Sequence, residues 1–111
     1  FLPMDERSAA RLAALRERVS DVYVHLDLDV LDPAEATANP FPAPGGLTVD
    51  EVIDVLRMVR ERFAIRAAGI ASYDPETDRD GRGRQAALRF VDALVQAVPA
   101  SIRPRSAPVR Q

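Results

Sequence analysis

Hydrophobic and polar positions alternate most regularly where Val24, Leu26 and Leu28 interleave with His25, Asp27 and Asp29. Period-two alternation predicts a strand, in which residues two apart lie on one side, about 6.5–7 Å from each other. A strand over Val22–Asp29 would therefore set His25, Asp27 and Asp29 on one face. Val24, Leu26, Leu28 and Val30 would share the other. On either side the pattern changes to a helical period. Ala9, Leu12, Leu15 and Val19 predict a helix over Asp5–Arg18. Thr48 and Glu51 have capping-box spacing, and Val52, Val55, Leu56 and Val59 continue as an apolar stripe. Ile65–Tyr73 predicts a second strand. Arg84–Val98 predicts a third helix, with Ala87, Leu88, Val91, Leu94 and Val95 facing inward. The stretch between the first strand and the second helix, Asp32–Gly46, holds four prolines and ends in Gly45-Gly46. Proline at that density excludes regular structure, and so long a loop in a compact domain is more often functional than idle.

The predicted order is α-β-α-β-α, an α/β fold. Strands separated by a helix pair in parallel through a right-handed crossover, and ligands of such sheets bind outside the carboxyl ends of the strands. Asp27–Asp29 and Ser72–Asp74 both fall at that edge. Two carboxylates on one strand repel each other and are costly to bury uncompensated. A divalent cation is the economical partner, because hard ions prefer carboxylate oxygens.

Composition narrows the classes. With 111 residues the chain is at most one domain, and 47% hydrophobic residues make it globular rather than disordered. A net charge of −2 argues against a general nucleic-acid or membrane surface. With no cysteine there is no disulfide framework, zinc–thiolate site or cysteine nucleophile. No segment has the apolar length of a membrane span and no signal peptide is visible, so a cytoplasmic location is expected. The opening Phe1-Leu2-Pro3 reads like mid-protein sequence. Residues 1–98 are expected to form part of one domain, and residues 99–111, with three prolines, a loose tail.

Asp27-x-Asp29-x-x-Asp32-Pro33 has three readings: a metal site at a strand end, a nucleophilic aspartate for phosphoryl transfer, or aspartates capping a strand end. The second resembles the haloacid-dehalogenase superfamily, whose first aspartate is the nucleophile, although Val30-Leu31-Asp32 does not continue that pattern. His25, the lone histidine, fits a packed neighbour of such a site better than a ligand. Gly45 and Gly46 fit a tight backbone turn ahead of the second helix. Asp78, Arg79, Asp80, Arg82 and Arg84 read as a solvated charged loop.

Three motifs in series resemble the C-terminal part of the ureohydrolases, the superfamily of arginase, agmatinase and formiminoglutamase. Leu26-Asp27-Leu28-Asp29-Val30-Leu31-Asp32-Pro33 looks like the family's second metal motif, D-x-D-x-x-D-P. Pro44-Gly45-Gly46-Leu47-Thr48 looks like its P-G-G-L-T. Ala71-Ser72-Tyr73-Asp74-Pro75 sits where the family has an E-V-N-P-like strand end. The resemblance implies a three-layer α/β/α sandwich with a mainly parallel sheet, of which this chain would be the C-terminal part. It implies two Mn²⁺ ions whose bridging hydroxide cleaves a C–N bond of a guanidino, amidino or related linear compound. Asp27 would bridge the metals, Asp29 would chelate one, and Asp32 would tie down the following loop. Ser72 and Asp74 would face the substrate; no catalytic residue is assigned within the segment. A trimer or hexamer is implied as well.

Two positions depart from the family pattern. Ser72 replaces the glutamate that accepts a guanidinium, and Asn39-Pro40-Phe41 replaces T-G-T. Both favour a substrate less cationic at its reacting end than arginine or agmatine. The family's upstream motifs, in the style of G-D-x-H and D-A-H-x-D, have no counterpart here, so the remaining ligands are expected from upstream sequence. The alternative is a catalytically inactive family member serving assembly or small-molecule binding.

Overall fold

The computed structural model describes residues 5–37 and 45–95. Helix α1 (Glu6–Arg16) leads into strand β1 (Asp21–Asp27) and a short 3-10 turn at Leu28–Val30. Helix α2 (Val49–Arg62), strand β2 (Ala64–Ala71) and helix α3 (Arg82–Val95) follow. The two strands are parallel, running from Asp21 opposite Ala64 to Asp27 opposite Ala71. The register slips once, between Val22 and Tyr23, because Val22 faces Ile65 while Tyr23 faces Ala67. Arg66 is the extra residue, and its Nε reaches Asp21 at 3.2 Å. Among the described residues no helix is long and apolar enough to cross a membrane.

Local signals fix the helix starts. The Asp5 carboxylate accepts the Ser8 N–H at 2.8 Å and caps α1. At α2 the capping box is complete: Thr48 Oγ1 accepts the Glu51 N–H at 3.1 Å, and Glu51 Oε1 accepts the Thr48 N–H at 2.9 Å. Glu35, reaching across from the loop after β1, accepts the Val49 N–H at 2.7 Å.

The core is assembled from the 3-10 turn, the loop and the two later helices. Leu28, Leu31, Leu47, Val52, Leu56 and Phe90 are buried together, with Val24, Leu26 and Ile70 of the strands packed against them. Phe90 has no exposed surface, which makes it the pivot of α3.

Three sequence expectations need correction. The first strand ends at Asp27, two residues short of Asp29, because the next three residues turn into a 3-10 helix. Helix α3 buries Gly83, Ala86, Phe90, Ala93 and Leu94, whereas Leu88, Val91 and Val95 are exposed. This helix is apolar on two faces, and Phe90 decides which one meets the core of this chain. Helix α1 buries none of its residues, and Leu15 and Val19 are exposed. The predicted extension of the last helix to Val98, the tail at residues 99–111, and Asn39-Pro40-Phe41 all lie outside the described residues.

Candidate metal centre and substrate loop

Both strands end at the same edge of the sheet, and each gives way to a loop held by one carboxylate. After β1 the chain turns at once, because Asp27 Oδ1 accepts the Asp29 N–H at 2.9 Å. That side-chain bond nucleates the 3-10 turn, with Asp27 as its N-cap. Asp27 is half-buried and Asp29 exposed at the rim. His25 stays on the strand face it shares with Asp27, opposite Gly69. Asp29 lies instead on the turn beyond the strand, so strand parity does not place it.

The loop is closed at its neck. Leu47 N–H donates to the Val30 carbonyl at 2.8 Å, and Asp32 N–H donates to the Leu47 carbonyl at 3.0 Å. Asp32 completes the closure: Oδ1 accepts the Ala34 N–H at 2.9 Å and Oδ2 the Gly45 N–H at 3.0 Å. These backbone donors hold its carboxyl below the usual range. Gly45 has φ +86°, the left-handed region that favours glycine. Gly46 serves a different need: a Cβ there would stand 2.6 Å from the Asp32 nitrogen and the Val30 oxygen.

The second loop opens at Ser72, the one non-glycine residue with positive φ among the described residues, at 69°. Strand β2 stops at Ala71, so parity does not carry Asp74 to the face of Ser72. Asp74 turns onto its own loop, accepting the Glu76 N–H at 3.0 Å and the Thr77 hydroxyl at 2.9 Å. The loop is anchored by Asp78, which is only 6% exposed. Its Oδ1 accepts the Gly83 N–H at 2.8 Å; its Oδ2 accepts the Arg84 N–H at 2.8 Å and the Tyr73 hydroxyl at 2.9 Å. Burial pushes this carboxyl up, but the three donors outweigh burial and keep its pKa low. The bond to Asp78 in turn raises Tyr73 above its ordinary value.

Asp78 was not singled out by the sequence, where it reads as one charge in a solvated run. The available signal was an aspartate a few residues ahead of a helix start. Gly83 completes it: a Cβ there would meet the Asp78 carboxylate at 3.1 Å.

Asp27 and Asp29 are hard oxygen donors at the right edge of the sheet, chemically suited to Mg²⁺ or Mn²⁺. Among the described residues no third histidine, cysteine, aspartate or glutamate joins them in a group that holds a metal ion. The donor chemistry fits, and the donor number is that of part of a site.

A family model described as the Arginase family matches residues 3–96. The chain belongs to the arginase family. It is 36% identical over 96 residues to a formimidoylglutamase of Cupriavidus pinatubonensis, covering 83% of this chain and 30% of that protein. It is 32% identical over 83 residues to an arginase of Bacillus caldovelox, covering 75% of this chain and 28% of that one. The solved arginase of Bacillus caldovelox superposes with a TM-score of 0.70 at 31% identity, over 79% of this chain and 30% of its own. The proclavaminate amidino hydrolase of Streptomyces clavuligerus superposes with a TM-score of 0.68 at 31% identity, over 78% and 29%. The parallel strands and their helices are thus a portion of the α/β arginase fold. The chain spans about 30% of the length of the curated relatives it matches.

Proposed function

We propose that this chain carries part of the active centre of a metal-dependent hydrolase that cleaves a C–N bond in an amidino, guanidino or related linear compound. One observation carries this reading. Asp27 and Asp29 stand at the carboxyl end of β1, on a turn clamped by Asp32, beside the end of β2. Family membership supports it, as do relatives named formimidoylglutamase, arginase and proclavaminate amidino hydrolase.

Asp27 and Asp29 would hold Mn²⁺, with the remaining ligands supplied by sequence outside this chain. When bound, the two ions supply Lewis acidity that acidifies water and polarises the reacting carbon. The chain's own residues position the reaction. Asp32 keeps the turn under Asp27 and Asp29 in place. Ser72 and Asp74 open the loop on the substrate side.

Ser72 shapes substrate choice. The resemblance puts a glutamate there, and a charge-assisted bond to a guanidinium is worth about 1.5–3 kcal/mol. Serine offers a hydroxyl, so an unsubstituted guanidinium loses at least about tenfold in affinity. That loss falls on an amidinium as on a guanidinium, so an amide, ureido or substituted guanidino compound, less cationic at its reacting end, is favoured over arginine and agmatine. The test is hydrolysis of N-formimidoyl-L-glutamate, arginine, agmatine and 4-guanidinobutyrate by the intact, manganese-loaded protein, beside Ser72→Glu. Arginine and agmatine should be hydrolysed slowly, and Ser72→Glu should raise hydrolysis of the cationic substrates. Turnover of arginine or agmatine by the unmodified protein at ordinary rates, about 1–1000 per second, contradicts the role given to Ser72.

A non-catalytic family member is the second reading, favoured by Ser72 and Phe41 in place of the substrate contacts that the resemblance implies. Protein purified with manganese that holds no stoichiometric metal supports it. The trimer or hexamer implied by the resemblance is likewise a proposal, checked by light scattering.

A further inference from the structure

We propose that a polar pocket between the two loops, lined by Thr37, Thr77, Arg79, Asp80 and Arg82, binds a carboxylate group of the substrate. The identity of that substrate rests on the amidine-hydrolase reading; the pocket is built from this chain alone. It has a volume of about 200 Å³. Thr37 comes from the loop after β1, and the other four residues come from the loop after β2 and the first turn of α3.

The pocket lies on the loops that leave the same sheet edge as Asp27 and Asp29, and a chain of contacts links it to the strand ends. Asp27 pairs with Ala71, the last residue of β2. Ser72 follows, and Asp74 accepts the hydroxyl of Thr77, which lines the pocket. Arg82 fixes the wall by bridging the two loops. Its Nη1 donates to the Ala34 carbonyl at 2.9 Å, 48 residues away in sequence, and its Nε donates to Asp80 at 2.7 Å.

Charge points to an anion. Two guanidinium groups face one carboxylate, and that carboxylate is already committed. Asp80 accepts both the backbone N–H and the Nε–H of Arg82, which hold it below the usual carboxylate range. Arg79 forms no ion pair among the described residues. Its guanidinium fork and the remaining Nη2 donors of Arg82 suit the two oxygens of a carboxylate. Thr77 spends its hydroxyl hydrogen on Asp74, so it serves the wall, while Thr37 brings a second hydroxyl from the opposite loop. A linear amidino acid with its reacting end at Asp27 and Asp29 would set a distal carboxylate here.

The test is calorimetric binding to the intact protein, which needs no turnover. The probes are L-glutamate, L-2-aminobutyrate, which lacks glutamate's distal carboxylate, and inorganic phosphate. The unmodified protein should bind L-glutamate at least about tenfold more tightly than L-2-aminobutyrate. Arg79→Gln should erase that difference, and Arg79→Lys should restore part of it. Arg79 is exposed, so neither variant threatens folding. Equal or undetectable binding of both amino acids by the unmodified protein overturns the proposal. So does an unchanged glutamate preference in Arg79→Gln, or phosphate binding as tight as that of glutamate. An Arg79-dependent glutamate preference in a protein that hydrolyses no amidine leaves the pocket standing and removes the hydrolase reading.

Discussion

The loops that follow β1 and β2 begin alike and diverge in what they present. Each leaves a parallel strand at the same edge, and each is pinned by one carboxylate that gathers backbone N–H groups: Asp32 in the first, Asp78 in the second. The first loop offers two further carboxylates, Asp27 and Asp29, at its rim. The second offers the Ser72 hydroxyl at the matching position, on a backbone twisted to φ 69°. Each loop has its anchoring carboxylate, whereas the first presents acid at its rim and the second a hydroxyl. The difference separates the carboxylates that hold the loops from the groups that the loops expose.

The largest effect expected from breaking this comparison is loss of the buried anchor. Asp78→Ala leaves the Gly83 and Arg84 N–H groups and the Tyr73 hydroxyl without their acceptor. It should cost about 2–3 kcal/mol in denaturant unfolding. Asp32→Ala, whose carboxylate is nearer solvent, should cost less, and that ordering is the sharper test. Gly46→Ala comes next. Its Cβ would press on rigid backbone at the neck of the first loop, at about 1–3 kcal/mol.

Acid should also act on both anchors. The pKa of each carboxyl is lowered in the folded protein, so each contributes stability above its unfolded value, about 3.9, and loses it as pH falls through the lower folded value. Thermal unfolding followed from pH 6 to pH 2 should show stability declining below about pH 4, with a shallower decline in Asp78→Asn. Tyr73 has the opposite sign. With its pKa raised, it contributes stability below about pH 10 that is lost as pH rises through the folded value. The smallest effect is expected from Tyr73→Phe, which removes one of three donors to Asp78 and should flatten that alkaline decline.

Signals local to a few residues were legible in the sequence. The Thr48–Glu51 capping box and both parallel strands were read from spacing alone. What escaped depends on partners distant in the chain or on side chains that redirect the backbone. Period-two alternation runs through Asp29, but the Asp27 carboxylate captures the Asp29 N–H and ends the strand. Helix α3 carries two apolar stripes, and only the packing of Phe90 selects one. The face left outward, with Val91 and Val95 beside Ile65 and Ile70 of β2, borders a groove of about 510 Å³ that the buried Leu94 also lines. Asp78 was hidden among charges because its role appears only once Tyr73, Gly83 and Arg84 converge on it.

The central claim is that Asp27 and Asp29 bind metal. It is tested most directly by manganese content, measured by elemental analysis on the intact protein and on Asp29→Ala. The account predicts about two ions per subunit in the unmodified protein and about one in the variant, with folding retained. No stoichiometric manganese in the unmodified protein, or the same content in both, would contradict it.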